Sequence, residues 1–251
     1  MTELFENERI DEVNDSISLI QKPNGLVFGT DALLLAAYSD HKGKFGLELG
    51  SGSGIISMLM LTRGKLSKAV AIDVQPEYAS LTVRNAELNS LSDKLEALEA
   101  DVRTFNRGAI FDTVYSNPPY MKSDSGYSNR TDAKNVARHE IMGGIYDFLE
   151  CAKRSLRFGG DFIAVFRPDR LTDLISAMRS ANIEPKRMTF VHADKDSIPK
   201  MLLISGKLGG KEGLRMTAPL LIYRDREHLE YTDDMNYIME NGSFPEKFKG
   251  K

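Results

Sequence analysis

The sequence is poor in cysteine and histidine, and each shortage excludes a class of chemistry. Cys151 is the single cysteine among 251 residues, so no disulfide can form within the chain, and a reducing compartment is expected. Cys151 falls in a predicted amphipathic helix, which favours a core position over a nucleophile. The four histidines are scattered, without the close spacing of a metal-binding motif: His41, His139, His192 and His228. We therefore expect no resident metal.

Long apolar runs are also missing, and neither charge sign dominates. No stretch approaches the roughly 18 apolar residues that a membrane-spanning helix requires. The amino terminus, residues 1–6, is acidic and lacks the basic-then-apolar layout of a signal peptide. These features predict a cytoplasmic protein without a membrane partner. The formal net charge of −3 gives no overall basic field, although a local basic face can still bind nucleic acid.

Short apolar and β-branched runs alternate with helical patterns along most of the chain. Such alternation is typical of an α/β protein with a mainly parallel sheet. Strands are predicted at 45–49, 69–72, 95–100, 111–115, 162–166, 187–192 and 201–205. The last two are joined by a loop short enough for an antiparallel pair, and Pro219–Tyr223 can add an edge strand. Helices are predicted at 32–38, 55–61, 76–89 and 146–156, from Pro168 onward, and from Thr232 to Asn241-Gly242.

The chain shows no internal repeat and no clear linker, so we expect one domain spanning residues 1–251. Its expected parts are an amino-terminal hairpin and helix at 1–40, a catalytic core at 41–206 and a carboxyl-terminal extension at 207–251. The oligomeric state is left open by the sequence, with a monomer slightly favoured.

The amino-terminal hairpin is predicted from a turn signal within residues 8–29. Asn24-Gly25 lies between two apolar segments, and an Asn-Gly pair favours the tight turns that join two strands. The helix that follows is apolar on all sides and is therefore expected to be buried. Thr30 or Asp31 is expected to cap its amino end.

The motif Asn117-Pro118-Pro119-Tyr120 follows the predicted strand 111–115. Two prolines cannot donate to a β-ladder, so the strand must stop at Asn117. The asparagine amide and the tyrosine ring are then presented at the carboxyl edge of the sheet, where ligands bind in open α/β folds. Taken alone, the motif is explained equally well as an Asn-Pro turn.

A glycine-rich loop, Gly50-Ser51-Gly52-Ser53-Gly54, lies between the predicted strand 45–49 and the next helix. Glycine lets backbone amides approach a ligand closely, and the helix amino end favours negative charge. Asp73 ends the following strand, where a carboxylate can accept hydrogen bonds from both ribose hydroxyls of a nucleoside. A dinucleotide-binding loop is the alternative, but Ile55 occupies the position of its third small residue, and Glu48 would repel a pyrophosphate. The loop therefore favours S-adenosylmethionine over NAD.

These motifs resemble those of class I S-adenosylmethionine-dependent methyltransferases. The resemblance lies in Glu48–Gly54, Asp73, Asp101 and Asn117–Tyr120. It implies a Rossmann-like α/β fold with a mainly parallel seven-stranded sheet, an antiparallel last strand and helices on both faces. The Asn-Pro-Pro-Tyr form resembles the branch that methylates planar amino groups of adenine, guanine or glutamine side chains.

Further segments resemble a bacterial branch whose members N6-methylate the adenine beside the anticodon of a valine tRNA. These segments are Phe28–Leu35, Ala137–Glu140, Phe166–Pro168 and Glu184–Arg187. The resemblance extends over about residues 10–225. It implies an enzyme with S-adenosylmethionine as cofactor and tRNA as partner.

The resemblance also implies a set of cofactor-binding residues. They are Thr30, Asp31, Glu48, Gly50, Ser51, Gly52, Gly54, Asp73, Asp101, Val102 and Asn117. The backbone of the glycine-rich loop would pass beside the methionine part of the cofactor. Glu48 would face its ammonium group directly or through water, and Thr30 or Asp31 would reach the same amino-acid end.

The nucleoside part of the cofactor would be bound by residues at two other strand ends. By the resemblance, Asp73 would bind the ribose, Asp101 the adenine amino group, and Val102 would pack on the adenine ring. Plain capping of the following helix is an alternative explanation for Asp101 and for Thr30.

The expected catalytic residues are Asn117, Pro118, Pro119 and Tyr120. An exocyclic amine is a poor nucleophile because its lone pair is delocalised into the ring. Hydrogen bonds from its two N–H groups to the Asn117 side-chain oxygen and the Pro118 carbonyl would favour the pyramidal form that carries the lone pair. Such bonds strengthen as positive charge develops, so they stabilise the transition state more than the ground state. Tyr120 offers a stacking face for a base turned out of its neighbours' stack.

Basic residues near the motif are candidates for contacts with substrate phosphates: Lys22, Lys122, Arg130, Arg138 and His139. A solvated charged loop explains any single one of them equally well. Three other functions remain open, namely an N6-adenine DNA or N2-guanine ribosomal RNA methyltransferase, a glutamine-N5 protein methyltransferase and a non-catalytic binding module. Glutamine-N5 enzymes carry a longer helical amino-terminal domain than the 49 residues before Gly50, which disfavours that function.

Overall fold

The computed structural model of the chain describes residues 4–21, 28–40, 42–118 and 144–249. Within them, the strands are β1 (Arg9–Asn14), β2 (Ile17–Gln21), β3 (Lys44–Leu49), β4 (Leu66–Asp73), β5 (Leu95–Glu99), β6 (Phe111–Ser116), β7 (Leu156–Phe166), β8 (Ile183–His192), β9 (Pro199–Leu208), β10 (Arg215–Met216) and β11 (Leu220–Leu221). The helices are α1 (Thr30–Tyr38), α2 (Ile55–Thr62), α3 (Pro76–Leu88), α4 (Ile145–Ser155), α5 (Leu171–Ser180), α6 (Asp233–Asn241) and α7 (Glu246–Lys249). A short 3-10 turn, Pro168–Arg170, precedes α5.

The central sheet has the strand order β10-β8-β9-β7-β6-β3-β4-β5, with β11 also paired to β8. Strands β5, β4, β3, β6 and β7 run parallel, while β9 is antiparallel to both β7 and β8. These seven strands confirm the predicted mainly parallel sheet with an antiparallel last strand. Two short strands, β10 and β11, extend the sheet at the β8 edge, and β11 lies at the predicted edge-strand position.

Two apolar layers cover the two faces of the sheet. Buried side chains of α1, α2 and α6 form one layer, and those of α4 and α5 form the other. The predicted burial of α1 is confirmed, because six of its nine residues are buried. The double layer keeps the parallel strands out of water on both sides, which is the usual environment of a parallel sheet.

The structure shows an amino-terminal hairpin with a turn that the sequence did not predict. Strand β2 pairs antiparallel with the preceding strand β1, so the observed turn is at Asp15-Ser16. The Asn14 side chain closes this turn by accepting a hydrogen bond from the backbone N–H of Ser16 at 2.9 Å. The turn expected at Asn24-Gly25 lies outside the described residues.

The predicted helix caps are confirmed for α6 but not for α1. Thr232 caps α6, since its hydroxyl accepts from the N–H of Met235 at 3.2 Å, and Gly242 ends the helix in the left-handed conformation. The expected N-cap position of α1 was wrong, although Asp31, the second residue of the helix, accepts from the first-turn N–H of Ala32 at 2.9 Å. Gly29 occupies its N-cap position, and no side chain caps the helix there.

Candidate active site

The parallel strands β6, β3 and β4 are neighbours, and their carboxyl-terminal ends lie at the same edge of the sheet. Strand β3 lies between β4 and β6, so the glycine-rich loop, Asp73 and Asn117 lie on adjacent strands. The glycine-rich loop, Asn117 and the start of α1 surround a cavity of about 120 Å³, and Asp73 lies behind the loop. Its lining residues are Phe28, Gly29, Asp31, Ala32, Gly50, Ser51, Gly52, Ser53, Ile55, Ile56 and Asn117. The fold thus brings together two motifs that are far apart in the sequence.

The glycine-rich loop is shaped by close packing against α3. Gly54 has φ = 78°, a left-handed conformation that favours glycine, and a Cβ there would lie 2.6 Å from Thr82 Cγ2. The Thr82 hydroxyl donates to the carbonyl of Gly52 and lies 3.1 Å from the Ser51 hydroxyl. Asn85, one turn further along α3, donates to the carbonyl of Ser53 at 3.0 Å. These contacts hold the loop in place.

Thr82 and Asn85 were not identified from the sequence. The one available signal is their spacing on α3, which places two polar side chains on the buried face of an amphipathic helix. That spacing alone does not reveal what they contact.

Asp73 is buried against the glycine-rich loop. One carboxylate oxygen accepts from the N–H of Gly52 at 3.0 Å, and the other accepts from the N–H of Gln75 at 2.9 Å. Burial raises the pKa of this carboxyl above its usual range, and the two backbone hydrogen bonds act in the opposite direction. The aspartate therefore ties the loop to the end of β4 and still has lone pairs for a ligand.

Glu48 is fully buried beneath the loop and is not among the residues that line the cavity. Its Oε2 atom accepts from the N–H of Ser57 at 3.2 Å and from the Ser57 hydroxyl, which in turn lies 2.7 Å from the hydroxyl of Tyr115. Its Oε1 atom has no hydrogen-bond partner in the described part of the chain. Burial raises the pKa of Glu48 to about 8.

Asp101 and Thr30 also lie outside the cavity lining. The Asp101 carboxylate accepts from the Arg103 backbone N–H at 2.8 Å and from the Arg103 guanidinium at 2.9 Å. The hydrogen bonds from the Arg103 side chain hold the pKa of Asp101 below its usual range. Val102 is buried, and its carbonyl accepts from Arg154.

Asn117 faces Asp31 across the cavity. Its amide nitrogen Nδ2 donates to Oδ2 of Asp31 at 2.8 Å. Its amide oxygen Oδ1 is buried and has no hydrogen-bond partner among the described residues. Pro118 follows in a buried position. A buried acceptor without a donor is costly, which makes Oδ1 a candidate for contact with a ligand.

The other predicted catalytic and substrate-binding residues lie outside the described ranges: Lys22, Pro119, Tyr120, Lys122, Arg130, Arg138 and His139. In the ranges that are described, no cluster of three or more His, Cys, Asp or Glu side chains could hold a metal ion. No helix in those ranges is both long and apolar enough to cross a membrane.

The cavity combines a glycine-rich backbone with a hydrogen-bond acceptor that is unpartnered in the described structure. The glycine-rich loop forms one wall of the cavity, and Asn117, whose buried Oδ1 has no partner among the described residues, forms another. Oδ1 of Asn117 can accept a hydrogen bond from a planar amine. The glycine-rich loop can lie close to a second ligand in the same cavity.

Comparisons with known proteins agree with this geometry. A sequence-family profile described as "Methyltransferase small domain" matches residues 24–176. A curated protein from Phocaeicola vulgatus is 27% identical over 180 residues, which cover 71% of this chain and 76% of that protein. Its name is tRNA1(Val) (adenine(37)-N6)-methyltransferase.

Two solved structures show the same fold. A predicted O-methyltransferase from Agrobacterium tumefaciens has a TM-score of 0.70 at 23% identity, and the match covers 86% of this chain and 98% of that one. Geranyl diphosphate C-methyltransferase from Streptomyces coelicolor, solved with S-adenosyl-L-homocysteine, has a TM-score of 0.53 at 11% identity. That match covers 71% of this chain and 75% of the other.

Proposed function

The chain belongs to the methyltransferase small domain family, and from this premise we propose that it methylates the N6 amine of an adenine in tRNA. The name of the Phocaeicola relative supports a finer proposal, that the target is adenine 37, beside the anticodon of a valine tRNA. The cofactor is S-adenosylmethionine. We further propose that the enzyme acts in the cytoplasm as one domain.

The residues present fit this cofactor. Gly54 packs so closely on Thr82 that no side chain fits there, which fixes the loop, and Gly50, Ser51 and Gly52 of that loop line the cavity in which the cofactor would lie. Asp73 would bind the ribose hydroxyls. Asp101, whose carboxylate also accepts from Arg103, would bind the adenine amino group. When bound, S-adenosylmethionine supplies an electrophilic methyl group, whose carbon–sulfur bond breaks with the electron pair passing to sulfur.

The unpartnered Oδ1 of Asn117 is the observation that carries the proposal. It would accept a hydrogen bond from one N–H of the target amine, and the Pro118 carbonyl would accept from the other. Both acceptors draw the amine toward the pyramidal form, because they bind its N–H groups more strongly as positive charge develops on nitrogen. The proton released after the nitrogen–carbon bond forms would pass to water.

Positioning supplies much of the remaining rate enhancement. A methyl transfer requires the attacking nitrogen, the methyl carbon and the sulfur to lie in line. The chain contributes to this by fixing the loop through Thr82 and Asn85 and by holding the Asn117 amide at the opposite wall. Tyr120 would stack on the target base.

One experiment identifies the substrate. The protein is incubated with S-adenosylmethionine radiolabelled in its methyl group and with separate fractions of tRNA, ribosomal RNA, DNA and protein. We expect label in tRNA, and digestion to nucleosides should yield N6-methyladenosine. Label confined to DNA, ribosomal RNA or protein would contradict the proposal.

Replacing Asn117 by alanine tests the mechanism. We expect Asn117→Ala to lower turnover by roughly 10²-fold or more, the scale of losing one transition-state hydrogen bond. Cofactor affinity, measured by calorimetry, should fall much less. Asn236→Ala, at an exposed position on α6, is the matched control and should retain full activity. Methylation by Asn117→Ala at the wild-type rate would rule out the assigned role.

A further inference from the structure

A carboxylate outside the Asn-Pro-Pro-Tyr motif determines which way the Asn117 amide points. We propose that Asp31 is a positioning residue for methyl transfer, acting through Asn117 and not through the cofactor. This inference rests on the proposed function, since it concerns the same amine acceptor. Asp31 lies at the start of α1 and Asn117 at the end of β6, so the pair is created by the fold.

The orientation follows from the chemistry of the two groups. An ionised carboxylate only accepts hydrogen bonds, so the amide atom beside Oδ2 of Asp31 must be the nitrogen of Asn117. The amide oxygen is then on the other side, where it is buried and without a partner among the described residues. Without Asp31, a half-turn of the amide group would exchange oxygen and nitrogen. The target amine would then meet N–H donors in place of an acceptor.

Asp31 is itself held in place. Its Oδ1 atom accepts from the N–H of Ala32 at 2.9 Å, so each carboxylate oxygen has a separate partner. Gly29 leaves room for this arrangement, because a Cβ there would lie 2.7 Å from Oδ1 of Asp31. The amino end of α1 also favours a negative charge. The hydrogen bond from Ala32 and the space left by Gly29 thus keep the Asp31 carboxylate facing Asn117.

The contact also strengthens Asn117 as an acceptor. A hydrogen bond from an amide N–H to a carboxylate polarises the amide and increases the negative charge on its oxygen. That oxygen faces the position where positive charge would develop on the target amine. Asp31 should therefore affect the rate of the chemical step, whereas a cofactor contact would affect binding.

A double-mutant cycle tests this assignment. We expect Asp31→Ala to lower kcat about tenfold, a typical coupling between residues in contact, while the calorimetric Kd for S-adenosylmethionine changes less than twofold. In the Asn117→Ala background, adding Asp31→Ala should cause no further loss, because the group that it orients is already absent. A full additional tenfold loss in the double variant would overturn the proposal.

Two further variants keep the test informative if Asp31→Ala folds poorly. Asp31→Asn retains an acceptor oxygen for the Asn117 nitrogen without the charge, so its kcat should lie between those of wild type and Asp31→Ala. Gly29→Ala leaves both side chains unchanged but pushes a methyl group against Asp31, and it should lower kcat with cofactor Kd unchanged. Thermal melting of each variant confirms folding. A weaker cofactor Kd at unchanged kcat would overturn the proposal and assign Asp31 to the cofactor.

The same assay separates this proposal from the proposed function. If wild-type protein labels a fraction other than tRNA, the proposed function fails, and the cycle is then run on the labelled substrate. Loss of coupling on that substrate would overturn the Asp31 assignment, and persistent coupling would support it. If tRNA is labelled and the cycle shows no coupling, only the Asp31 assignment fails.

Discussion

Glu48 combines a titratable group with complete burial. Its carboxyl group bonds to Ser57 on one oxygen, whereas the other has no partner in the described structure. The protonated form is favoured because an ionised carboxylate at this site would lack the solvation that water provides. Its hydrogen bonds with Ser57 tie the end of β3 to α2, and contact with the cofactor ammonium stays a prediction.

The raised pKa of Glu48 predicts a specific dependence of stability on pH. The folded-state pKa of about 8 lies above the unfolded value, so the folded chain holds a proton that the unfolded chain releases. The associated stability is fully present below about pH 4.5 and is lost as pH rises toward 8. Glu48→Gln removes this loss, so its melting temperature should exceed that of wild type increasingly over this range.

The control for this prediction is Glu227→Gln, which removes a carboxylate from an exposed position. Its melting temperature should follow that of wild type across the same pH values. A constant difference between Glu48→Gln and wild type from pH 5 to pH 8 would contradict the raised pKa.

At the scale of elements, helix α3 provides side-chain hydrogen-bond acceptors for the backbone N–H groups on the free edge of β2. The Asn85 side chain accepts from the N–H of Ile20 at 2.7 Å, and the Asn89 side chain accepts from the N–H of Ser18 at 2.9 Å. Two amides one helical turn apart thereby satisfy alternate backbone groups of the hairpin. Because Asn85 also donates to the carbonyl of Ser53, it joins the hairpin to the glycine-rich loop.

This double contact predicts different effects for two similar substitutions. Asn85→Ala should destabilise the fold by about 1–3 kcal/mol, since it leaves buried backbone groups without partners. It should also weaken S-adenosylmethionine binding several-fold, because the Ser53 carbonyl loses its donor. Asn89→Ala should destabilise the hairpin contact but leave the cofactor Kd unchanged. Calorimetry and thermal melting would measure both quantities, and equal cofactor affinities for the two variants would contradict the link.

At the scale of the whole molecule, the site depends on the order of the strands. Strand β3, which precedes the glycine-rich loop, lies inside the sheet between β4, which ends at Asp73, and β6, which ends at Ser116 just before Asn117. The groups proposed to bind cofactor and target amine therefore lie at the ends of separate strands, which both apolar layers hold in place. A ligand that bridges these strands should stabilise the native fold as a unit.

Cofactor binding is therefore expected to raise the melting temperature of the whole chain in one transition. A ligand that binds only the native state adds about 2.7 kcal/mol of stability at a concentration of 100 times its Kd. Asp73→Ala should reduce this shift strongly at the same cofactor concentration, because it removes the carboxylate proposed to accept from the ribose hydroxyls. An unchanged shift in Asp73→Ala would remove Asp73 from the site.

Local features of the chain were sufficient to predict most of the sheet and the two motifs. Apolar, β-branched runs identify strands because a parallel sheet buries both faces, and the observed β3 and β6 match the predicted ranges within one residue. Glycine at position 54 signals a left-handed turn, and the Pro118-Pro119 pair ends a strand for lack of N–H donors. Each of these signals is a property of one residue or of its immediate neighbours.

Contacts between distant parts of the chain were decided by the tertiary structure alone. The burial of Glu48 and the support of the loop by Thr82 depend on packing that no local pattern encodes. The sequence predicted Asn117 and Asp31 as site residues but did not show that they bind each other. Their hydrogen bond exists because the sheet brings the end of β6 beside the start of α1.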